Sequence, residues 1–280
     1  MDKVVFFTTI KGDSEFYPIK KTNTHRFNWE SRGRLERTEI DAMDSIERLT
    51  HYTKCPSFPL VNSLGALIYL PFDIDFKVNS DDTIQWNAPG KIFVTENPKF
   101  SDVKVLEWHT KHHLGESSSI IGDGVFKINT SWVAASTIPN LKMLMLPVMT
   151  PDQDIFTASG GALDLDRTAS FMNVQGHIRG NFTNYTLKAG TPIAQVIPLT
   201  DKKVQFEVRY AEAHDRELVE DYLYIVMRGL GRNEKQKLAQ KVSEKWRKVE
   251  TGATNVFRRK ANNIYRNTKN WLQKRGDSVS

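Results

Sequence analysis

Asp164 and Asp166 stand two residues apart in Gly161-Ala162-Leu163-Asp164-Leu165-Asp166. On a strand that spacing turns both carboxylates to one side, where a pair can share a proton for acid-base work or hold a cation. Paired carboxylates beside a turn are more often simply solvated. His177, between Gln175 and Arg179, reads as a strand residue before it reads as a general base. These three are the catalytic candidates. His109 and His113, in Glu107-Trp108-His109-Thr110-Lys111-His112-His113, are the metal candidates. In a helix they would share a face, and an i,i+4 pair of imidazoles is a zinc or iron geometry. The stretch lacks the glutamate that a metalloprotease places directly after its first histidine, and it specifies no third ligand. A solvated or core-edge histidine run is the expectation, with no cofactor. Cys55 is the single cysteine, so neither an internal disulfide nor a Cys-rich zinc site can form, and a small buried hydrophobe is its expected role. A phosphate-binding loop ending in Gly-Lys-Ser/Thr is absent from the sequence.

The elements around these residues read as short strands. Val174 to Ile178, Asn181 to Leu187 and Ile193 to Leu199 carry alternating or continuous apolar residues. Lys188-Ala189-Gly190 supplies a tight turn before Pro192, which a first strand position tolerates. Val4 to Ile10, Leu64 to Phe76, Thr83 to Trp86, Lys91 to Thr95, Phe126 to Val133, Lys142 to Met149 and Val204 to Val208 continue the pattern. Residues 22–37 read as a polar loop holding Phe27 and Trp29. Ile40, Met43, Ile46 and Leu49 have helical spacing and predict a short helix near residues 40–49. The fold class expected is mainly β, a β-rich sandwich or barrel-like body, with a helical basic C-terminal arm.

The 280 residues are 39% apolar, enough to fill a core, and carry a net charge of +6. That charge is unevenly placed. From Arg232 to Ser280, fourteen Lys and Arg face four acids, which leaves this segment at +10 and the rest of the chain at −4. No apolar run approaches the ~20 residues of a bilayer-spanning helix, and the first residues do not form a secretory signal. A soluble protein with no transmembrane segment, intracellular where it is made, is expected. The body spans residues 1–210, a helix and a Gly-rich break 211–231, and the arm 232–280. Within the arm, Leu238, Val242, Trp246, Val249, Ala253, Phe257, Ala261, Ile264, Thr268 and Trp271 step by fours and threes into one stripe. A helix from about 233 to 274 would extend about 60 Å, with Gly252 a candidate break. Three placements are open: the arm packs back on the body as a helical hairpin, joins other subunits, or lies on DNA or an acidic protein. The partner-binding candidates are Lys241, Trp246, Arg247, Lys248, Phe257, Arg258, Arg259, Lys260, Ile264 and Trp271.

Several motifs carry a resemblance, in order: Cys55-Pro56, Leu64-Gly65-Ala66-Leu67-Ile68 running into Leu70-Pro71-Phe72-Asp73-Ile74, Trp86, Phe126-Lys127-Ile128 with Trp132, Gly161 to Asp166, and Gly190-Thr191-Pro192-Ile193-Ala194-Gln195-Val196-Ile197-Pro198. Over about residues 50 to 200 the chain resembles a protein family of tailed phages, notably marine and cyanobacterial myoviruses, and of some bacteria. The resemblance implies a phage origin and a β-rich domain, and names no activity. The chain departs from that pattern at Ser136-Thr137-Ile138-Pro139, where a Pro-Gly turn is usual. The Gly161–Asp166 and Ala189–Gln195 stretches are also similar in layout to trimeric dUTPases and dCTP deaminases. That likeness would give Asp164 the role of orienting a sugar and activating water. The Arg-Ser-Gly element that holds phosphates is missing, and Arg167 stands where an aromatic residue is usual.

The function expected is a non-enzymatic phage structural or assembly protein. Its partners would be other phage structural subunits, in an oligomer, or nucleic acid through the arm, in the virion or the cytoplasm of an infected host cell. The alternative is a nucleotide-binding or hydrolysing enzyme of dUTPase-like type, or a metal-dependent enzyme.

Overall fold

The computed structural model describes residues 2–10, 19–21, 61, 64–79, 84–89, 91–92, 103–109, 125–148, 156–167, 171–178 and 183–252. Outside them lie the helix expected near 40–49, the loop 22–37, Cys55, His113, Phe257, Arg258, Arg259, Lys260, Ile264 and Trp271.

The run Val4-Val5-Phe6-Phe7 is β-branched and aromatic, and it forms β1 (Lys3–Thr8) with all four side chains buried. A strand buried on both faces needs a layer on each side. β1 is the central strand of a small sheet, antiparallel to β10 (Trp132–Ser136) and parallel to β17 (Gln205–Tyr210). Val4, Phe6, Trp132 and Ala134 face the main core, while Val5, Phe7, Val133 and Ala135 face a second core. Two helices cover that second core, α1 (Ala213–Met227) and α2 (Arg232–Glu250), through Leu218, Val219, Tyr222, Ala239 and Trp246. They run antiparallel: Asp215 meets Trp246 near one end, and Tyr222 meets Ser243 further along.

The main core is closed by three further sheets. In the first, β11 (Lys142–Leu146) and β16 (Pro192–Pro198) are flanked by β13 (Gly161–Asp164) on one side and by β3 (Ala66–Tyr69) then β2 (Lys20–Lys21) on the other. The second runs β12 (Phe156–Ala158), β14 (Val174–Ile178), β9 (Val125–Ile128), β8 (Leu106–His109). The third runs β15 (Asn184–Leu187), β4 (Ile74–Val78), β5 (Ile84–Asn87). A ribbon of β6 (Lys91–Ile92) and β7 (Val103–Lys104) stands apart from these. β4 shows why the pattern was readable: Ile74 and Phe76 are buried while Asp75 and Lys77 are exposed. The chain is thus a mostly β body with helices near its C-terminal end. No helix among the described residues is long and apolar enough to cross a membrane.

Three local findings differ from, or refine, the sequence reading. The stretch 126–133 is not one strand. Asn129, Thr130 and Ser131 are buried at a corner where the chain leaves β9 for β10 in another sheet, and the Thr130 hydroxyl donates to the Met172 carbonyl over 2.8 Å. The 190–198 motif is structural: Gln195, buried in β16, donates from Nε2 to the carbonyls of Val61 and Leu64, both at 2.7 Å, and so pins the entry to β3. The long arm helix stops at Glu250. Gly252 adopts φ +70°, and its N–H bonds to the Val249 carbonyl at 3.1 Å, the left-handed glycine ending that satisfies a terminal carbonyl.

Candidate functional site

Arg209, next to last in β17, turns into the space between the small sheet and the two helices, which brings the densest set of ion pairs among the described residues together there. All five guanidinium N–H groups have acceptors. Nε donates to Asp215 at 3.1 Å, and the terminal nitrogens donate to Asp215 at 3.0 Å, to Glu250 at 2.8 and 3.3 Å, and to Glu207. Asp215 is fully buried, and the indole N–H of Trp246 and the backbone N–H of Glu212 supply its remaining bonds, at 2.7 and 2.9 Å. The bond to Glu212 closes the start of α1, where the free N–H groups of a helix terminus favour a carboxylate. Glu250, in the last turn of α2, also takes Lys3 from β1, and His214 Nε2 at 2.8 Å. Because a carboxylate only accepts, that ring nitrogen carries the hydrogen.

Electrostatics follow from this geometry. Burial alone would raise the Glu250 carboxyl, yet hydrogen bonds from Arg209, Lys3 and His214 hold it down at about 2. Glu207 is likewise lowered against its burial, by Lys3 and Arg209. Burial works against the charge of Lys3 and of Arg209, but the carboxylates around them raise both.

A second clamp lies one helical turn away. Arg247 pairs with the buried Asp166 and donates to the Ser136 carbonyl at 3.2 Å, while Asp166 accepts the Asn140 N–H at 2.8 Å. Tyr222 and Ser243 exchange a hydroxyl bond of 2.7 Å beside it.

The donor atoms of His214, Asp215 and Glu250 lie within 4.8 Å of one another, a spacing a metal ion can use. Arg209 places N–H groups on both of those carboxylates, so a cation would have to displace the guanidinium. The arrangement works as a clamp: strand β1, strand β17, the start of α1 and the end of α2 meet at one fully hydrogen-bonded set of charges.

The sequence-predicted site residues are not gathered in this place. β13 ends at Asp164, so the alternation that would have aligned it with Asp166 is lost. The Asp164 Oδ1 atom accepts the backbone N–H groups of Asp166 and Arg167, both at 3.2 Å, while Asp166 turns to Arg247. The two candidate carboxylates thus take separate partners. His177 is half-buried on β14, in a different sheet. His109 lies on strand β8 opposite Val125 rather than in a helix, and His113 lies outside the described residues. Of the arm residues described, Lys241 and Lys248 are exposed on α2. Trp246 is 3% exposed and Arg247 is held by Asp166, so both spend their contacts within the chain. Sequence reasoning passed over Arg209, His214, Asp215 and Glu250. The one local signal was the Glu212-x-x-Asp215 spacing at a helix start; Glu250 is 41 residues from Arg209 and leaves none.

In comparison with known proteins, the chain matches no family model, no curated protein and no solved structure.

Proposed function

We propose that the chain is a non-enzymatic structural or assembly protein of a phage, whose β body makes subunit contacts and whose basic C-terminal segment docks on partner subunits or nucleic acid. The observation that carries this reading is where the clamp holds the last turn of α2. Lys3, Arg209 and His214 hold Glu250, and Gly252 adopts φ +70° two residues on, so the chain is fixed to the body up to the point where the basic segment begins. That segment, 253–280, has seven Lys and Arg against one acid, and the Phe257, Ile264 and Trp271 stripe. A basic, apolar-striped segment tethered to a rigid body suits an anionic partner surface. Lys241 and Lys248, seven residues apart on the outer side of α2, extend the positive surface toward it. The resemblance to phage proteins supports placing the chain in the virion or the infected-cell cytoplasm. The dUTPase-type alternative draws no support from Asp164, which caps its own turn.

The test compares the full chain with a chain ending at Gly252, by sedimentation and by fluorescence anisotropy with a short DNA duplex at two salt concentrations. The shorter chain keeps its circular dichroism and thermal midpoint and loses most partner or duplex binding, and the duplex binding of the full chain falls with salt. Equal mass and equal duplex affinity for the two chains would remove the arm from the function.

A further inference from the structure

Three of the six large apolar side chains that stand exposed among the described residues lie together in the last turn of α1: Tyr224 at 38%, Val226 at 53% and Met227 at 66%. The others, Leu64, Trp86 and Leu199, stand on separate stretches of chain. Beyond Met227 the chain turns through Arg228-Gly229-Leu230-Gly231 into α2. Nothing lies within 4 Å of the position a Cβ would take on either glycine, so the turn is bordered by open space. A cluster of exposed apolar side chains at such a tip marks a contact surface.

Cations ring this tip. Arg228 stacks 4.3 Å from the Tyr224 ring, Lys235 donates to the Val226 carbonyl at 3.3 Å, and Arg232 is exposed at the first position of α2. From Tyr224 to Lys237 the chain holds four cations, Arg228, Arg232, Lys235 and Lys237, against the single acid Glu234. The acids of α1 are set back from the tip. Glu220 lies six residues before Val226 and Glu217 nine, which is about 9 and 14 Å along the helix. Both distances exceed the screening length of about 8 Å at physiological salt. Glu217 and Asp221 also pair with Lys245, at 3.3 and 3.5 Å. A negatively charged surface that approaches the hairpin end-on therefore meets its cations first.

We propose that this tip docks on an anionic lipid bilayer, with Val226 and Met227 below the headgroups and Arg228, Arg232 and Lys235 against the phosphates. Each feature of the tip has its counterpart there. The phosphates of a nucleic acid would satisfy the cations and leave the aliphatic side chains in water. A bilayer places an apolar layer directly under its charged one, so both are satisfied at once. Tyr224 joins an apolar ring to a hydroxyl that accepts a hydrogen bond from Arg228, the amphipathic character of side chains that sit at headgroup level. A projecting tip needs no matching pocket in a bilayer, whereas a protein partner would have to supply one in both shape and charge. No described helix is long and apolar enough to cross a membrane, so the contact is at the surface. A small apolar wedge and a few cations are each weak signals, and binding needs both, hence it requires anionic lipid and weakens with salt. The inference goes beyond the assembly reading above, which concerns residues 253–280.

The test is flotation of the full-length chain with vesicles of phosphatidylcholine, alone or with phosphatidylglycerol added, at low and high salt. The natural chain floats with the mixed vesicles, most strongly at low salt, and stays off those of phosphatidylcholine alone. Met227→Asp and Arg232→Glu each weaken that binding about tenfold or more, Met227→Leu keeps it, and all three retain the natural circular dichroism. Should Met227→Asp fail to fold, Arg232→Glu carries the comparison. Residues 253–280 are basic as well, so the tip is read from the difference between natural and variant chains. Equal flotation of the two overturns the proposal, and so does a natural chain that stays off both kinds of vesicle. A variant that loses self-association or duplex binding while its flotation is unchanged also overturns it, since the tip would then face protein or nucleic acid.

Discussion

Glu250 receives Lys3, Arg209 and His214 from three different elements, and its carboxyl is held at about 2 against an ordinary 4.5. A folded-state value below the unfolded one means that this carboxylate contributes stability above pH 4.5, and that the contribution is lost as pH falls from 4.5 through about 2. Glu250→Gln is therefore expected to be less stable than the natural chain at pH 7 and to show a shallower loss of stability on acidification. Urea midpoints at pH 7, 4.5 and 3 check this; parallel curves for the two proteins would show that the clamp contributes nothing to docking α2. Asp221 shifts the opposite way, upward, so its protonation offsets part of the acid loss. The pairing is worth holding because Asp215 is fully buried: with its partners gone, a desolvated charge would remain.

Among the elements, β3 depends on Gly65. At φ +73° an L side chain is strained, and a Cβ there would lie 2.0 Å from the Val196 carbonyl oxygen of the neighbouring strand. Gly65→Ala should cost at least about 2 kcal/mol, since the atom it strikes is backbone, read as a fall in the denaturation midpoint with an unchanged m-value. A Gly65→Ala chain as stable as the natural one would mean that β3 and β16 are not so closely apposed. The strands were readable from sequence wherever one short rule applied: the apolar run of β1, the alternation in β4, the turn at Gly190 before β16. The β9–β10 corner was not, because Asn129, Thr130 and Ser131 look like ordinary strand residues until their buried bonds are known. The stripe on α2 revealed which face of the helix is apolar but not what covers it. Hence Trp246 read as a docking residue, although Val5, Phe7 and Val133 belong to the same core. The Arg209 clamp was illegible for a related reason, since its four elements meet only in the fold.

For the whole molecule, the small β10–β1–β17 sheet is a shared wall, with the β body on one face and the helical hairpin on the other. The first strand thereby supports the last described helix up to Glu250. This makes α2 part of the body, which native-state hydrogen exchange on the full chain tests most directly. Amides of α2 over residues 238–249 should exchange as slowly as those of β1 and β17, and should be unaffected when residues 253–280 are removed. Exchange of those amides at the rate of a free helix, while β1 stays protected, would contradict it.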